Sequence, residues 1–320
     1  MKMKFVIAAL ASALLASPAA QATDYPNQPI RMLLPFSAGG GGDTLGRILA
    51  SKFSEALGQS VVVENRPGAG GTIGINAVAK SPADGYTITI GGMTTHVLSP
   101  SVYKNLPYDP VKDFRSLGAI GTSSILVIAA NDFPASNLSE LKTMAESSKD
   151  PIQYGSWGMG STGHFCGEVL VQKGGLKLQH VPYKGTTQVV NDVIGGHVAT
   201  GFIDMATGTP FVRDGKVKAL AVCTRQSPSL PDVASYRDQG IDFDRELNWA
   251  MYVPAGTPDP IVDKLSTLLE KTLQEPKVKE LLLGLGITAK YVPGRQHEQA
   301  NISDISAWKA IAQTAGIEPQ

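Results

Sequence analysis

The amino-acid sequence predicts an α/β protein of two lobes, each a mostly parallel sheet flanked by helices, with two strands crossing between the lobes. Short apolar runs alternate with helically spaced stretches, which is typical of parallel α/β sheets. A chain of 320 residues exceeds what one small core needs, so two domains are expected. Two polar segments, at 121–124 and 245–248, each precede an apolar run and mark the predicted passages between the lobes.

The apolar runs and the helical spacings place the elements in order along the chain. Pro258 and Pro260 fit the first turn of a helix, where proline is tolerated. If the chain crosses at the two polar segments, residues 23–122 plus 246–320 form the first lobe and residues 123–245 form an inserted second lobe. The cleft between the lobes is then the expected ligand site. Strands are predicted at 30–34, 60–64, 87–91, 125–130, 152–155, 178–182, 199–203, 217–223 and 249–253, and helices at 43–57, 72–80, 138–146, 161–173, 186–194, 258–274 and 296–315.

The first 22 residues read as a secretory signal peptide. Lys2 and Lys4 form a basic start, residues 5–15 are apolar but too short to span a bilayer, and the chain reads Ala-Gln-Ala up to Ala22. We therefore expect cleavage near Ala22 and export to the periplasm. Without the two lysines the chain carries two more acidic than basic side chains, which gives no support for nucleic-acid binding.

Cys166 and Cys223 are the only cysteines of the sequence. Export makes a disulfide chemically possible, but the sequence alone leaves open whether the two residues pair or are small buried apolar side chains. Neither cysteine has a neighbour at metal-ligand spacing, so no metal site is predicted.

The segment between the first strand and the first helix is rich in glycine. A strand, a glycine run and a helix together present bare backbone N–H groups at a helix N-terminus, where an anion is favoured. Because the loop holds no lysine, a carboxylate fits better than a polyphosphate. Alternatively, the glycines only shape a turn and Asp43 is a helix N-cap. The candidate residues here are Phe36, Ser37, Ala38, Gly39, Gly40, Gly41 and Asp43.

A second glycine segment follows the strand at 152–155. Gly158, Gly160 and Gly163 match G-x-G-x-x-G, but no acidic residue closes the next strand to hold a ribose, so no dinucleotide cofactor is predicted. The same backbone geometry could still bind an anion, with Ser161 and Thr162 as hydroxyl donors, although Ser161 could be only an N-cap.

Ser161 and His164 also suggest an exported Ser/His hydrolase. The nucleophile elbow G-x-S-x-G is not met, however, because Met159 occupies the position of the first glycine. A serine three residues before a histidine is more often a capped helix start, so no enzyme activity is predicted.

Three further polar or aromatic residues lie at predicted strand ends or loops. His96 follows the strand at 87–91, where open α/β sheets bind ligands, but it could instead bond a loop carbonyl. Asp204 closes the strand at 199–203 and is either an acceptor for a hydroxyl or ammonium group of a ligand or a helix cap. Trp157 could line a pocket or pack between the lobes.

The chain resembles the Bug-type extracytoplasmic solute receptors of the tripartite tricarboxylate transporter family. The resemblance rests on Tyr-Pro-Asn-Gln-Pro-Ile at 25–30, Pro-Phe-Ser-Ala-Gly-Gly at 35–40 with Asp43, and Glu-Asn-Arg-Pro-Gly-Ala-Gly-Gly at 64–71. It continues through Leu-Pro-Tyr-Asp-Pro at 106–110, Gly-Ser at 160–161 with Gly-His at 163–164, and Val-Pro-Tyr-Lys-Gly at 181–185. Nearly the whole chain after residue 22 is covered, in order.

The resemblance implies a type II-like periplasmic-binding-protein fold that closes on a small organic carboxylate and delivers it to membrane permease subunits. It implies a monomer without a cofactor, in which both glycine loops hold a ligand carboxylate. Thr94, Thr95, His96 and Asp204 match positions at the edge of the cleft. A ligand-sensing subunit of a signalling system remains an alternative, since sensing and transport use the same closed lobes.

Overall fold

A computed structural model describes residues 25–243, 247–314 and 319 of the chain. The predicted signal peptide and its cleavage site lie outside the described residues. The strands are β1 (Ile30–Leu34), β2 (Val61–Asn65), β3 (Thr87–Gly92), β4 (Phe114–Ser123), β5 (Ile125–Ala129), β6 (Ile152–Ser156), β7 (Leu178–Pro182), β8 (Thr200–Asp204), β9 (Lys218–Val222), β10 (Leu247–Pro254) and β11 (Thr288–Pro293).

The α-helices cover both sheets and connect most of the strands. A π-helical turn, Met93–Leu98, follows β3, and short 3₁₀ turns occur at Ala69–Gly71 and Arg237–Gln239. The α-helices are α1 (Gly41–Leu57), α2 (Thr72–Ala79), α3 (Ser99–Val102), α4 (Leu138–Ser147), α5 (Thr162–Gln172), α6 (Thr186–Ile194), α7 (Met205–Arg213), α8 (Asp259–Gln274), α9 (Pro276–Gly284) and α10 (Gly294–Thr314).

Two sheets form the centres of the two lobes. The first sheet has the strand order β11-β4-β10-β3-β1-β2, and the second has the order β7-β6-β8-β5-β9. In the first sheet β1 to β4 point one way, while β10 and β11 run against them. In the second sheet β6 to β9 share one direction and β5 opposes it. The prediction of two mostly parallel sheets flanked by helices is confirmed.

The chain passes between the sheets at two adjacent segments. Only Ser124 separates the end of β4 in the first sheet from the start of β5 in the second. The return passage enters β10, where Leu247 lies opposite Ser123 in an antiparallel ladder. The two crossing segments are therefore bonded to each other and together form the floor of the space between the lobes.

The hydrophobic core of the first lobe is formed by apolar residues at regular spacing along its strands and helices. β1 is buried along nearly its full length, as expected for an inner strand covered on both faces. In α1, Leu45, Leu49 and Phe53 recur every fourth residue, so they form one face and all three are buried against the first sheet. Within the described residues, no helix is long and apolar enough to cross a membrane.

The last helix, α10, contacts both lobes. Near its start, the Asn301 amide donates to the Tyr252 hydroxyl of β10, at 3.1 Å. Near its end, the Trp308 ring packs edge-on against Phe165, with ring centres 4.8 Å apart, and against Phe243. The helix that carries the second glycine loop therefore shares a core with the C-terminal helix. The predicted end of this helix at residue 315 lies just outside the described range.

Cys166 and Cys223 are paired in a disulfide, with Cα atoms 6.0 Å apart. The bridge joins α5 to the end of β9 inside the core of the second lobe, where both residues are buried. The question that the sequence left open is answered in favour of pairing.

Breaking this disulfide should destabilise the mature protein by about 4 kcal/mol, because the bridge closes a loop of 57 residues in the unfolded chain. Urea unfolding of the protein with and without reductant measures the loss. The double variant Cys166→Ala/Cys223→Ala should behave like the reduced protein. An unchanged free energy of unfolding in both would mean that the bridge does not constrain the unfolded chain.

Candidate functional site

A cavity lies between the two sheets, where loops of both lobes meet above the crossing segments. Its volume is about 80 Å³. A single water needs about 10 to 15 Å³, so the cavity has room for several waters or a small organic molecule. The predicted site residues that line it are Phe36, Ser37, Gly40, Thr94, Thr95, Trp157, Thr162 and Asp204.

The first glycine loop reaches the cavity from β1 and leads into α1. Among the described residues, neither Ser37 nor Ala38 donates its backbone N–H to an acceptor. The carbonyl of Phe36 accepts from the Asn65 amide at 3.1 Å. Because C=O and N–H point in opposite directions across a trans peptide, the N–H of Ser37 points away from Asn65. The loop therefore offers free backbone donors, while Ala38 and Gly39 are exposed and lie outside the lining.

Asp43 does not line the cavity but supports the loop from behind. Its carboxylate accepts from the Gly39 N–H at 2.9 Å, from the Arg47 Nε at 3.0 Å and from the Asn65 amide at 3.0 Å. Burial alone would raise the pKa of Asp43, but these hydrogen bonds outweigh it and hold the pKa below its ordinary value. The negative charge thus fixes the loop conformation in the first turn of α1.

The second glycine loop contributes Trp157 and Thr162 to the cavity. Ser161 is the N-cap of α5, and its hydroxyl accepts from the His164 N–H at 3.2 Å. Ser161, His164 and Gly160 lie outside the lining. A β-carbon on Gly160 would press against Val102, so this glycine serves packing between the lobes.

His164 belongs to a buried polar group behind the second loop. Its Nδ1 accepts from the Gly160 N–H at 3.2 Å, and its ring stacks on His180 with centres 4.2 Å apart. His180 in turn lies 2.7 Å from the Ser156 hydroxyl. Burial lowers the pKa of His164 to about 4 and is the main reason why the pKa of His180 falls to about 3. Both rings are therefore neutral near pH 7 and support the loop rather than a ligand charge.

The π-helical turn after β3 places its residues on two sides. Thr94 and Thr95 line the cavity. His96 points into the first lobe, where its ring stacks flat on Tyr252 with centres 3.8 Å apart and is fully buried. Burial, followed by the nearby His297, lowers the pKa of His96 to about 3. His96 is thus a core residue in this structure.

Asp204 both lines the cavity and caps a helix. Its carboxylate accepts from the Thr207 N–H at 2.8 Å, which satisfies the start of α7, and from the Thr207 hydroxyl. The same hydroxyl accepts from the Gly41 N–H of the first lobe at 2.9 Å. Burial raises the pKa of Asp204, against the lowering effect of the Thr207 bonds. The helix cap, one of the two alternatives drawn from the sequence, is therefore present, and the same residue lines the cavity.

The two lobes are in direct contact around the cavity. Besides the bond from Gly41 to Thr207, the Thr162 N–H donates across the cleft to the Thr94 hydroxyl at 3.2 Å. A β-carbon on Gly41 would overlap the backbone of Ala206, and one on Gly185 would overlap Ser37. This arrangement is a closed one, and it requires glycine at both positions.

Several lining residues were not predicted as site residues. Lys184, Gly185 and Thr186 follow β7 and open α6, which repeats the strand, glycine and helix pattern of the first loop. That pattern was available in the sequence as a signal. Other lining residues come from the crossing segments and from glycines of the first lobe, where the sequence carries no comparable signal: Gly70, Gly71, Gly91, Gly92, Ser123, Ser124, Ile125, Leu247, Asn248 and Trp249.

Ser161 and His164 do not form a catalytic Ser/His dyad in this structure. The Ser161 hydroxyl bonds the backbone of His164, and both nitrogens of the His164 ring face other groups, the Gly160 N–H and Glu168. Within the described residues, no group of three or more His, Cys, Asp or Glu side chains could hold a metal. What the cavity provides is hydrogen-bond donors and acceptors for binding, among them the Asp204 carboxylate.

A closed cavity between two α/β lobes, floored by two crossing strands, defines a two-lobed solute-binding protein. The chain belongs to the tripartite tricarboxylate transporter family of receptors, whose family model matches residues 45–317. This confirms the resemblance to Bug-type receptors, and because the family consists of receptors, the chain is not an enzyme.

Individual relatives cover nearly the whole chain. The protein BugT of Bordetella pertussis is 29% identical over 97% of this chain and 95% of its own. The solved periplasmic binding protein BugD is 36% identical, with a TM-score of 0.87 over 92% of this chain and 100% of its own. An R. palustris protein solved with adipate is 30% identical, with a TM-score of 0.89 over 93% of this chain and 100% of its own.

Asp43→Asn should loosen the first glycine loop, because it removes the charge that binds Gly39, Arg47 and Asn65. A hydrogen bond to a charged group contributes about 1.5 to 3 kcal/mol, so amide hydrogen exchange of Gly39, whose N–H donates to Asp43, should accelerate at least tenfold. Asp109→Asn is a matched control, since Asp109 bonds the N–H groups of Val111 and Lys112 in a turn outside the cavity. Equal exchange rates in wild type and Asp43→Asn would refute the supporting role.

The buried histidines should make stability fall in mild acid. The pKa of His164 is about 4 in the folded protein and about 6.5 in the unfolded chain. Between pH 4 and pH 6.5 the His164 ring is therefore protonated in the unfolded chain but not in the folded protein. Stability is full above pH 6.5 and is lost as the pH falls towards 4. From pH 7.5 to 5, His164 should account for about 2 kcal/mol of that loss.

Urea unfolding at pH 7.5 and pH 5 tests this contribution. His164→Gln should lose less stability between the two pH values than wild type, whereas His197→Gln, at a side chain that is 74% exposed, should match wild type. The same pH dependence in all three proteins would contradict a neutral buried His164.

Proposed function

We propose that this protein is a periplasmic receptor that captures a small carboxylate between its lobes and delivers it to the permease subunits of a tripartite tricarboxylate-type transporter. The observation that carries the proposal is the closed cavity, which Ser37 lines with a free backbone N–H just before the start of α1. Helix N-termini and unpaired N–H groups favour an anion. The family membership and the relative solved with adipate support a carboxylate as that anion.

In this proposal the ligand touches the lining residues of both lobes. Phe36, Ser37 and Gly40 hold the carboxylate from the first lobe, and Thr162 and Trp157 close over it from the second. Thr94, Thr95 and Asp204 lie at the edge. We assign no ligand contact to Ala38, Gly39, Gly41, Asp43, His96, Gly160, Ser161 and His164, whose place in the structure is beside or behind the lining.

The remaining parts of the proposal concern the cell and the assembly. Signal-peptide cleavage near Ala22 would release the mature protein into the periplasm, and the periplasmic relative BugD supports this location. The mature protein would act as a monomer, with residues 23–122 plus 246–320 as the first lobe and 123–245 as the second. Ligand binding would favour the closed arrangement by contacts that exist only when the lobes meet.

A thermal-shift screen tests the proposal with mature protein that has been refolded to remove any bound molecule. A carboxylate at about 1,000 times its dissociation constant stabilises the fold by about 4 kcal/mol, which raises the melting temperature of a chain of this size by several degrees. The panel holds mono-, di- and tricarboxylates including adipate, each beside its neutral amide. We expect a shift with at least one carboxylate and none with its amide.

A variant that fills the cavity provides the control. Thr162→Phe should abolish the shift, because Thr162 lines the cavity, whereas Thr143→Phe, at an exposed position of α4 in the same lobe, should retain it. A flat response of the wild-type protein to the whole panel would overturn the carboxylate proposal.

A further inference from the structure

Besides threonine and serine hydroxyls, which can donate and accept, the cavity lining holds a free backbone donor and free side-chain acceptors. A free donor comes from the first glycine loop, where Ser37 lines the cavity and its N–H is unpaired among the described residues. Acceptors come from the crossing side, where Asp204 and Asn248 line the cavity. A ligand that fits both ends must accept hydrogen bonds at one end and donate them at the other.

Asp204 brings a carboxylate to the acceptor end. The residue is 8% exposed, and it accepts from the Thr207 N–H and from the hydroxyls of Thr207 and Thr186. A carboxylate can accept about four hydrogen bonds, so capacity remains for a donor from a ligand. A second carboxylate placed here would instead meet a like charge in a poorly solvated space, where the repulsion is strong.

Asn248 supplies a second acceptor further along the crossing segments. Its Oδ1 is buried and has no hydrogen-bond partner among the described residues. Asn248 lies opposite Thr122 in β4, and Asp204 lies opposite Ile125 in β5, so their strand partners are three residues apart on one crossing segment. At about 3.3 Å per residue, these strand partners lie about 10 Å apart, so the two acceptors can serve different donors of one ligand.

The rest of the lining favours a cationic group over a second anion. Among the described lining residues, Asp204 is the only carboxylate and Lys184 the only cationic side chain, and Lys184 is exposed. Trp157 and Trp249 supply aromatic surfaces, and the face of a tryptophan attracts an ammonium ion.

We infer that the ligand is an amino carboxylic acid, whose carboxylate binds the first glycine loop and whose ammonium group binds Asp204. This inference rests on the proposed function and narrows its substrate class. The ammonium group has three N–H donors and a positive charge, which matches the charge of Asp204 better than a single hydroxyl does.

Isothermal titration calorimetry with ligands of matched length tests the inference. The probes are α- and ω-amino acids of three to six carbons, the ω-hydroxy acids and the dicarboxylates of the same lengths, titrated into refolded mature protein. We expect at least one amino acid to bind at least tenfold more tightly than the hydroxy acid and the dicarboxylate of its length.

Asp204→Asn removes the negative charge but keeps a side chain that can cap α7, because asparagine also caps helices well. This variant should lose at least tenfold in affinity for the preferred amino acid and should lose its preference over the dicarboxylate. Asp214→Asn, at the exposed far end of the same helix, should bind like wild type.

Two results would overturn the inference in different ways. If the wild-type protein binds dicarboxylates in preference to amino acids, the inference is refuted and the proposed function still stands. A loss of that dicarboxylate binding in Lys184→Gln would place the second carboxylate at Lys184. Absence of binding to every carboxylate of the set would overturn the inference together with the proposed function.

Discussion

The cavity depends on a backbone contact between the lobes that only glycine permits. The Gly41 N–H at the start of α1 reaches the Thr207 hydroxyl, and Gly185 lies directly against Ser37. A β-carbon at either position would overlap the opposite lobe, so the lobes would stand apart and the cavity would open to solvent. Because Asp204 binds the same Thr207 hydroxyl, the contact between the lobes and the polarity of the cavity are properties of one hydrogen-bonded group.

The groups that hold the loops lie behind the surface that a ligand would touch. Asp43 fixes the first glycine loop by three hydrogen bonds, and Ser161 caps the helix that carries Thr162 to the cavity. Such groups must be rigid and need not be exposed, which is why they are buried and fully bonded. Recognition is therefore divided between a thin lining that touches the ligand and a polar support that keeps the lining in place.

The sequence predicts strand and helix positions well where the apolar spacing is regular, and it fails where close packing demands glycine. Strands such as β1 and β7 have the predicted limits. β4 was not predicted, because Gly118 and Gly121 interrupt its apolar pattern, and both are glycine because β11 lies against them. In the site, the glycine loops could be located, but the direction of each side chain could not. His96 follows Thr94 and Thr95 directly, yet the π-helical turn sends its ring into the core.

Asp204 shows how such a site can change its ligand without changing the fold. Its structural task is to cap α7, and aspartate, asparagine, serine and threonine all perform that task with similar energy. Its charge, by contrast, acts on whatever occupies the cavity. Exchange among these four residues would therefore leave the helix, the Thr207 hydroxyl and the contact with Gly41 in place while it altered the charge at the acceptor end. Selectivity at Asp204 can thus vary while the glycine loop that binds the carboxylate keeps its place.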